Sequence, residues 1–534
     1  MKNHTLGISY SQLTIFFAFF LLAPFLRAQT NAEVDNPSLE DTKTETSVAV
    51  RLWKDATHAD DGNTMVAGFI DNSSVATSVT TNGGTSWTQQ TTIPYQSAVS
   101  SPDGLDDEKL AYRLDGSGNP ELVSVFRCFD YDGVEGTFVN FSSDDGNSWE
   151  TAIVVESQPS WTDATRTTRP FLAADNNSGS SYRNNVYVTW TKRGSGTSDS
   201  VYVARIVGGI QTLSGTTALA AGTSTTTVDA CDVAVARSGN IYVLWMVTHT
   251  NVTPNTRDFY LSESTNGGAS WPAIGVSYPS ALTYTILTGS PRPSKEFDYQ
   301  DYPCLAISGC SAQSAFVAFT QAPSDTTDNP SDLFWTSSPL STLTTWSAPV
   351  NVNADKVGHP SHANNDKFSF QFEPAIASDG LGGAYITYYS QQDNGTSIYR
   401  DAMICETGTN VPNPLLNPQT NQAYLYDVTD YIAMVWNPSL AKAFPVWTDY
   451  PSSNGIQEIL STGISSPDQG VTAYCNQRKV VGDGTYRYLT YAQSNSATNQ
   501  VIWFKQSSIS GMNDVVGTPK SWSDPNYYYF APSI

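Results

Sequence analysis

Thr80-Thr81-Asn82-Gly83-Gly84-Thr85-Ser86-Trp87, Ser142-Ser143-Asp144-Asp145-Gly146-Asn147-Ser148-Trp149 and Ser264-Thr265-Asn266-Gly267-Gly268-Ala269-Ser270-Trp271 are three copies of one short pattern. Each holds a hydroxyl residue, an Asn/Asp-rich turn, a glycine, another small residue and a tryptophan. Asn82, Asp144 and Asn266 suit a tight turn, because Asn and Asp side chains hydrogen-bond nearby backbone amides. Gly84, Gly146 and Gly268 accept a positive φ. Trp87, Trp149 and Trp271 bury large apolar areas and carry an indole N–H for a partner. The pattern therefore predicts a hairpin between two outer strands, pinned by its tryptophan to the next sheet. A catalytic or calcium-binding role for Asp144 or Asp145 is the alternative.

Working outward, the whole chain repeats. An apolar strand ending in alanine recurs at Ala49, Ala111, Ala173, Ala234, Ala306, Ala377 and Ala433, and the first four are spaced 62, 62 and 61 residues apart. A second strand ending in an aromatic follows each one, from Met65–Phe69 to Ala443–Trp447, with a further copy at Arg487–Tyr491. Counting second strands gives eight units. Each unit reads as a small antiparallel sheet that cannot bury both faces alone, and radial stacking of such sheets solves that problem.

The three turns resemble the Asp-box (BNR) repeat of sialidase-like β-propellers. The resemblance implies an all-β fold: a single propeller of four-stranded blades, eight preferred and seven as the alternative. It also implies that the Asp-box turns lie on one face and the ligand site on the other, where the first strand of each blade enters the channel. The position four before each repeated alanine holds Glu45, Asp107, Arg169, Ala230, Tyr302, Glu373 and Thr429, with Glu108, Lys109, Asp232, Asp301 and Asp430 beside them. These side chains either satisfy strand ends in water or form a funnel for a polar ligand or cation. As a catalytic set, Asp107 would be the acid and Tyr302 with Glu373 a Tyr–carboxylate pair, since sialidases use a tyrosine nucleophile. Arg169, with Arg166 or Arg292, would hold a substrate carboxylate bidentately. Asp232, Asp301, Asp430 and His359 complete the expected ligand-binding set. The Arg-Ile-Pro motif of sialidases is missing, and Arg169-Pro170-Phe171 is its nearest echo.

The N-terminus predicts a secretory signal over residues 1–28. Lys2 and His4 precede an almost wholly apolar run from Leu13 to Leu26, and cleavage is expected near Ala28. That run is too short for a membrane span, so no span is expected. Residues 29–45 form a polar segment, disordered or supplying an outer strand that closes the ring, and 46–534 the propeller. Charged residues make up 14% and the net charge is −23, which argues against nucleic acid and anionic membrane as partners. The six cysteines of an exported chain permit three disulfides, with Cys304 and Cys310 close enough to bridge a local turn.

The expectation for function is a secreted propeller that recognises or processes an extracellular glycan or glycoprotein at the mouth opposite the Asp boxes. A sialidase-type hydrolase, a propeller polysaccharide lyase and a non-catalytic surface scaffold are the alternatives. No cofactor is required and no metal ligand is assigned, with calcium as the one cation considered. A lyase would set His359 or His362 against a tyrosine and an arginine. The Asp379–Gly383 run is a hairpin turn and not a phosphate loop, because no helix follows it.

Overall fold

The computed structural model describes residues 32–35, 43–54, 59–72, 74–94, 103–129, 135–158, 167–194, 199–208, 211–251, 256–272, 282–285, 303–308, 313–321, 332–343, 346–351, 369–378, 383–393, 398–406, 432–449, 458–465, 479–482, 486–496, 499–508 and 520–522. Nearly all of them lie in antiparallel sheets that follow one another along the chain. The first strands of the successive sheets are Lys43–Lys54, Gly104–Leu114, Thr167–Ala174, Thr226–Val235, Cys304–Ile307, Ser369–Ser378, Ala433–Asn437 and Lys479–Gly482. We number the sheets first to eighth in this order.

The second strand of each sheet shows why the sequence stacks. Ile241–His249 reads Ile-Tyr-Val-Leu-Trp-Met-Val-Thr-His, a nearly continuous apolar run, and such a strand must be covered on both faces. Val243 and Trp245 pack towards the third sheet with Tyr187 and Val201. Leu244 and Met246 pack towards the fifth with Leu305 and Phe319. Apolar layers of this kind lie between each successive pair from the first sheet to the seventh, and one more joins the seventh to the first through Val446, Ile459, Val48 and Phe69. The ring is thus closed, and each fully buried large side chain contributes roughly 1.5–3 kcal/mol.

The chain is an all-β propeller. Among the described residues six sheets are four-stranded, which corrects the expected eight, or alternatively seven, four-stranded blades. The sixth sheet has three strands, and the seventh has five. The extra strand of the seventh is Ala32–Glu33, from the polar N-terminal segment, paired with Ser461 and Leu460. Asp35 locks it: one carboxylate oxygen accepts the Ile459 N–H at 3.1 Å and the other meets Lys43 Nζ at 2.5 Å, with both side chains fully buried. The eighth sheet misled the count. Its strands pair with one another, but the inner-strand cycle runs from the seventh sheet directly back to the first.

The three repeated turns fold as their residues require. Asn82 Oδ1 accepts the N–H groups of Thr85 and Ser86 at 3.1 and 3.0 Å. Asp144 and Asn266 do the same for Ser148 and Ser270 at 2.8 and 2.9 Å. Thr80, Ser142 and Ser264 hydroxyls accept the N–H of Gly84, Gly146 and Gly268, whose φ values are +82°, +89° and +76°. Asp145 adds a tie between sheets, accepting Arg51 Nη1 at 2.8 Å and Tyr112 Oη at 2.7 Å. Two expectations are corrected. Each tryptophan packs towards the preceding sheet rather than the next: Trp87 joins Val446 and Phe444, Trp149 joins Ile70 and Val66, and Trp271 joins Tyr187. Their indole N–H groups are buried without a hydrogen-bond partner among the described residues.

The disulfide expectation is corrected too. Cys304 is buried and forms no disulfide among the described residues. Cys310 lies outside the described residues, and Cys304 faces the layer against Ile386 and Tyr388 of the sixth sheet. Burial, with the nearby Asp232 carboxylate, pushes its thiol pKa well up.

Candidate functional site at the mouth opposite the turns

Antiparallel order fixes the two mouths. Each repeated turn follows a third strand, so it lies at the end where the first strand finishes. The starts of first and third strands and the ends of second strands share the other mouth. There the first strands carry a recurring bulge, with register shifts at Thr44/Ser47, Asp106/Lys109, Thr168/Phe171, Asp229/Asp232 and Phe372/Ala375. The bulge sets Glu45, Asp107, Arg169 and Glu373 in the left-handed region, at φ +51°, +54°, +54° and +50°. These are the positions four before the repeated alanines. Such residues cost of order 1–3 kcal/mol each and persist only where their surroundings hold them.

What holds them is a chain of straps between sheets. The Glu45 carboxylate accepts the Asp107 N–H at 2.5 Å, and the Asp107 carboxylate accepts the Arg169 N–H at 3.1 Å. Asp232 accepts the Leu305 N–H of the fifth sheet at 2.7 Å. Burial works to raise the Asp107 pKa, but Arg127, Arg169 and that N–H outweigh it and hold the carboxyl below its usual range. Arg127 is itself held by Asp106 at 2.6 Å, with Glu135 at 3.6 Å.

Inside this ring lies a half-buried lysine. Lys109 sits 5.5 Å over the Phe171 ring, and burial lowers its pKa against the pull of Glu108, Glu45, Asp107 and Asp232. Burial lifts Asp232 to about 6 and Glu108 to about 7. Glu108 is fully buried against the Ser47 and Ser124 hydroxyls, over Gly68, where a Cβ would overlap its carboxylate.

Further out, between the third and fourth sheets, the mouth holds groups that the expectation missed. Just past the end of the second strand of the third sheet stands Arg193, whose guanidinium bonds Asp229 at 2.7 Å and lies 3.8 Å from Asp199. Arg169 meets Asp229 at 3.5 Å. Across the interface, His249 Nε2 lies 2.7 Å from Asp258 Oδ2. Tyr260, two residues on from Asp258 along the third strand, stacks on Trp245 with centroids 5.9 Å apart. Burial, with the nearby Asp258 carboxylate, raises the Tyr260 hydroxyl pKa. Strand parity places His249, Asp258 and Tyr260 on the face of Trp245, in the layer shared with Tyr187 and Val201 of the third sheet. The sequence signal was that His249 ends a second strand, at the end predicted to be the ligand mouth.

Of the expected site residues, the structure thus brings Asp107, Arg169 and Asp232 to this mouth, with Glu373 buried at the equivalent bulge of the sixth sheet. Tyr302, Arg166, Arg292, Asp301, Asp430 and His359 lie outside the described residues, as does His362. Among the described residues no group of three or more His, Cys, Asp or Glu side chains is placed to hold a metal ion.

No protein-family model matches the chain, and no curated protein matches it. Solved structures do. A polysaccharide lyase described as an ulvan lyase, bound to a glucuronate–rhamnose-3-sulfate repeat, is 10% identical over 76% of this chain and 90% of its own, with TM-score 0.47. An α-L-arabinofuranosidase of Fusarium graminearum is 10% identical over 82% and 97%, with TM-score 0.41. A Hadza microbial sialidase is 10% identical over 75% and 73%, with TM-score 0.40. The propeller assignment itself rests on the sheet order and the closed set of inter-sheet layers in this chain.

Proposed function

We propose that this protein is a secreted Asp-box propeller that recognises or processes an extracellular glycan at the mouth opposite the repeated turns. The observation that carries the reading is the set of polar groups between the third and fourth sheets: Arg193, His249, Asp258 and Tyr260 beside the strapped ring. Propeller mouths of this kind bind ligands through a few placed polar groups on a rigid frame. The partly exposed Tyr260 adds an aromatic face for a sugar ring. The sialidase-type alternative asks Asp107 to donate a proton. Its environment favours the ionised form and commits one oxygen to a backbone N–H, which weighs against that role. Binding of the full chain to an array of extracellular glycans and glycoproteins tests the reading, and Arg193→Ala should weaken any binding found. A protein that neither binds nor turns over any of them would be a scaffold, and the reading would fail.

A further inference from the structure

We infer that the eighth sheet is a second glycan-binding surface, apart from the mouth, and that it takes a polysaccharide bearing carboxylate or sulfate groups on the face that carries Arg487, Tyr491, Trp503 and Lys505. The glycan class rests on the reading above, and the surface deepens it.

The sheet differs from the ring in two ways. Its four strands, Lys479–Gly482, Tyr486–Ser496, Asn499–Ser508 and Lys520–Trp522, pair only with one another, and the ring closes from the seventh sheet to the first without it. Its charge is also opposite. The whole chain has a net charge of −23. The described residues of this sheet nevertheless include Lys479, Arg487, Lys505 and Lys520 and no Asp or Glu.

Register selects the face. Tyr491 pairs with Trp503, Leu489 with Lys505 and Arg487 with Ser507. Residues alternate between the two faces along a strand. Arg487, Leu489, Tyr491, Trp503 and Lys505 therefore share one face. Arg487 and Lys505 are diagonal neighbours on the two central strands, a relation that spans about 7–8 Å. Like charges at neighbouring positions repel, and no acidic residue among the described residues of the sheet offsets them. An anion laid across both positions would offset them, and an arginine suits bidentate recognition of a carboxylate. The Tyr491–Trp503 pair lies one step further along the same face and supplies aromatic surface for a sugar ring. A neutral glycan would use that pair but not the two cations. On the other face, Lys479 and Lys520 stand on the two outer strands, with Thr490 and Phe504 between them. Three strand spacings separate those lysines by roughly 14 Å, so the charge is concentrated on the first face.

The test measures binding of the full chain to polygalacturonate and to dextran sulfate, with dextran as the neutral control, over a series of salt concentrations. At least one of the two polyanions should bind more tightly than dextran, and the tighter of them names the anionic group. That affinity should fall as salt rises. Arg487→Gln combined with Lys505→Gln should weaken polyanion binding at least about tenfold and flatten its salt dependence. Arg487→Lys combined with Lys505→Arg keeps both charges and should bind within a few-fold of the native chain. Trp503→Ala should weaken binding by about 2–10-fold. Melting curves that match the native chain's separate lost binding from lost folding. Native affinity in the double glutamine variant would overturn the surface and leave the glycan reading standing. Equal affinity for dextran and both polyanions would overturn the anionic class and also leave that reading standing. A lowered melting temperature with unchanged affinity would mean that the basic face packs against the acidic remainder of the chain, which also overturns the surface. A chain that binds no glycan at all would overturn both.

Discussion

The two mouths of the propeller are built by different physics. At one, each repeated turn is satisfied from within: Asn82, Asp144 and Asn266 bond amides three or four residues away, and glycine supplies the positive φ. At the other, the ties that hold the left-handed bulge residues cross between sheets. Glu45 reaches Asp107, Asp107 reaches Arg169, Arg169 and Arg193 reach Asp229, and Lys43 reaches Asp35. Local ties make a turn that any sheet can carry. Long-range ties of buried charge make a surface whose parts depend on one another, and left-handed Glu45, Asp107 and Arg169 survive only inside it. The difference teaches where to expect function: the frame is finished at one end, while reactive groups collect at the other.

The sharpest way to break that contrast is the fully buried Lys43–Asp35 pair. Asp35→Ala removes the buried ion pair of Lys43 and also loosens the closing strand. Denaturant unfolding should show a loss of about 3–5 kcal/mol, and a loss below 1 kcal/mol would mean the clasp is not structural. Next comes pH. Glu108 is raised to about 7 in the fold, so its contribution is fully present below its unfolded value of 4.5 and is lost as pH rises through 7. Stability should therefore fall between about pH 4.5 and 7 and level off above, by up to about 3 kcal/mol from this group. Glu108→Gln should flatten that slope in thermal melts, and an unchanged slope would remove Glu108 from the account.

At the opposite mouth smaller effects are expected. Gly268→Ala puts a Cβ at φ +76° and 2.9 Å from the Tyr187 ring, so a loss of about 2–3 kcal/mol is expected in urea unfolding. Asp144→Ala removes the acceptor of the Ser148 N–H in an exposed turn and should cost only about 1 kcal/mol, with no coupling to Asp107 variants in a double-mutant cycle. Coupling above about 0.5 kcal/mol would show that the two mouths are not independent.

Sequence alone determined the repeat, the all-β class and the orientation of the turns. Those follow from short-range rules: Asn-Gly chemistry, positive-φ glycines and strands apolar on both faces. It also found the ring positions, because the residue four before each repeated alanine is the one that the bulge drives left-handed at Glu45, Asp107, Arg169 and Glu373. Tertiary structure alone decided how the ring closes, which sheet each tryptophan meets and whether Cys304 is bridged. It alone set the protonation of Asp107 against Glu108, since that depends on arginines about 20 and 60 residues away. It also brought His249 to Asp258, and Arg193 to Asp229 of the neighbouring sheet, an arrangement that exists only once sheets stack in register.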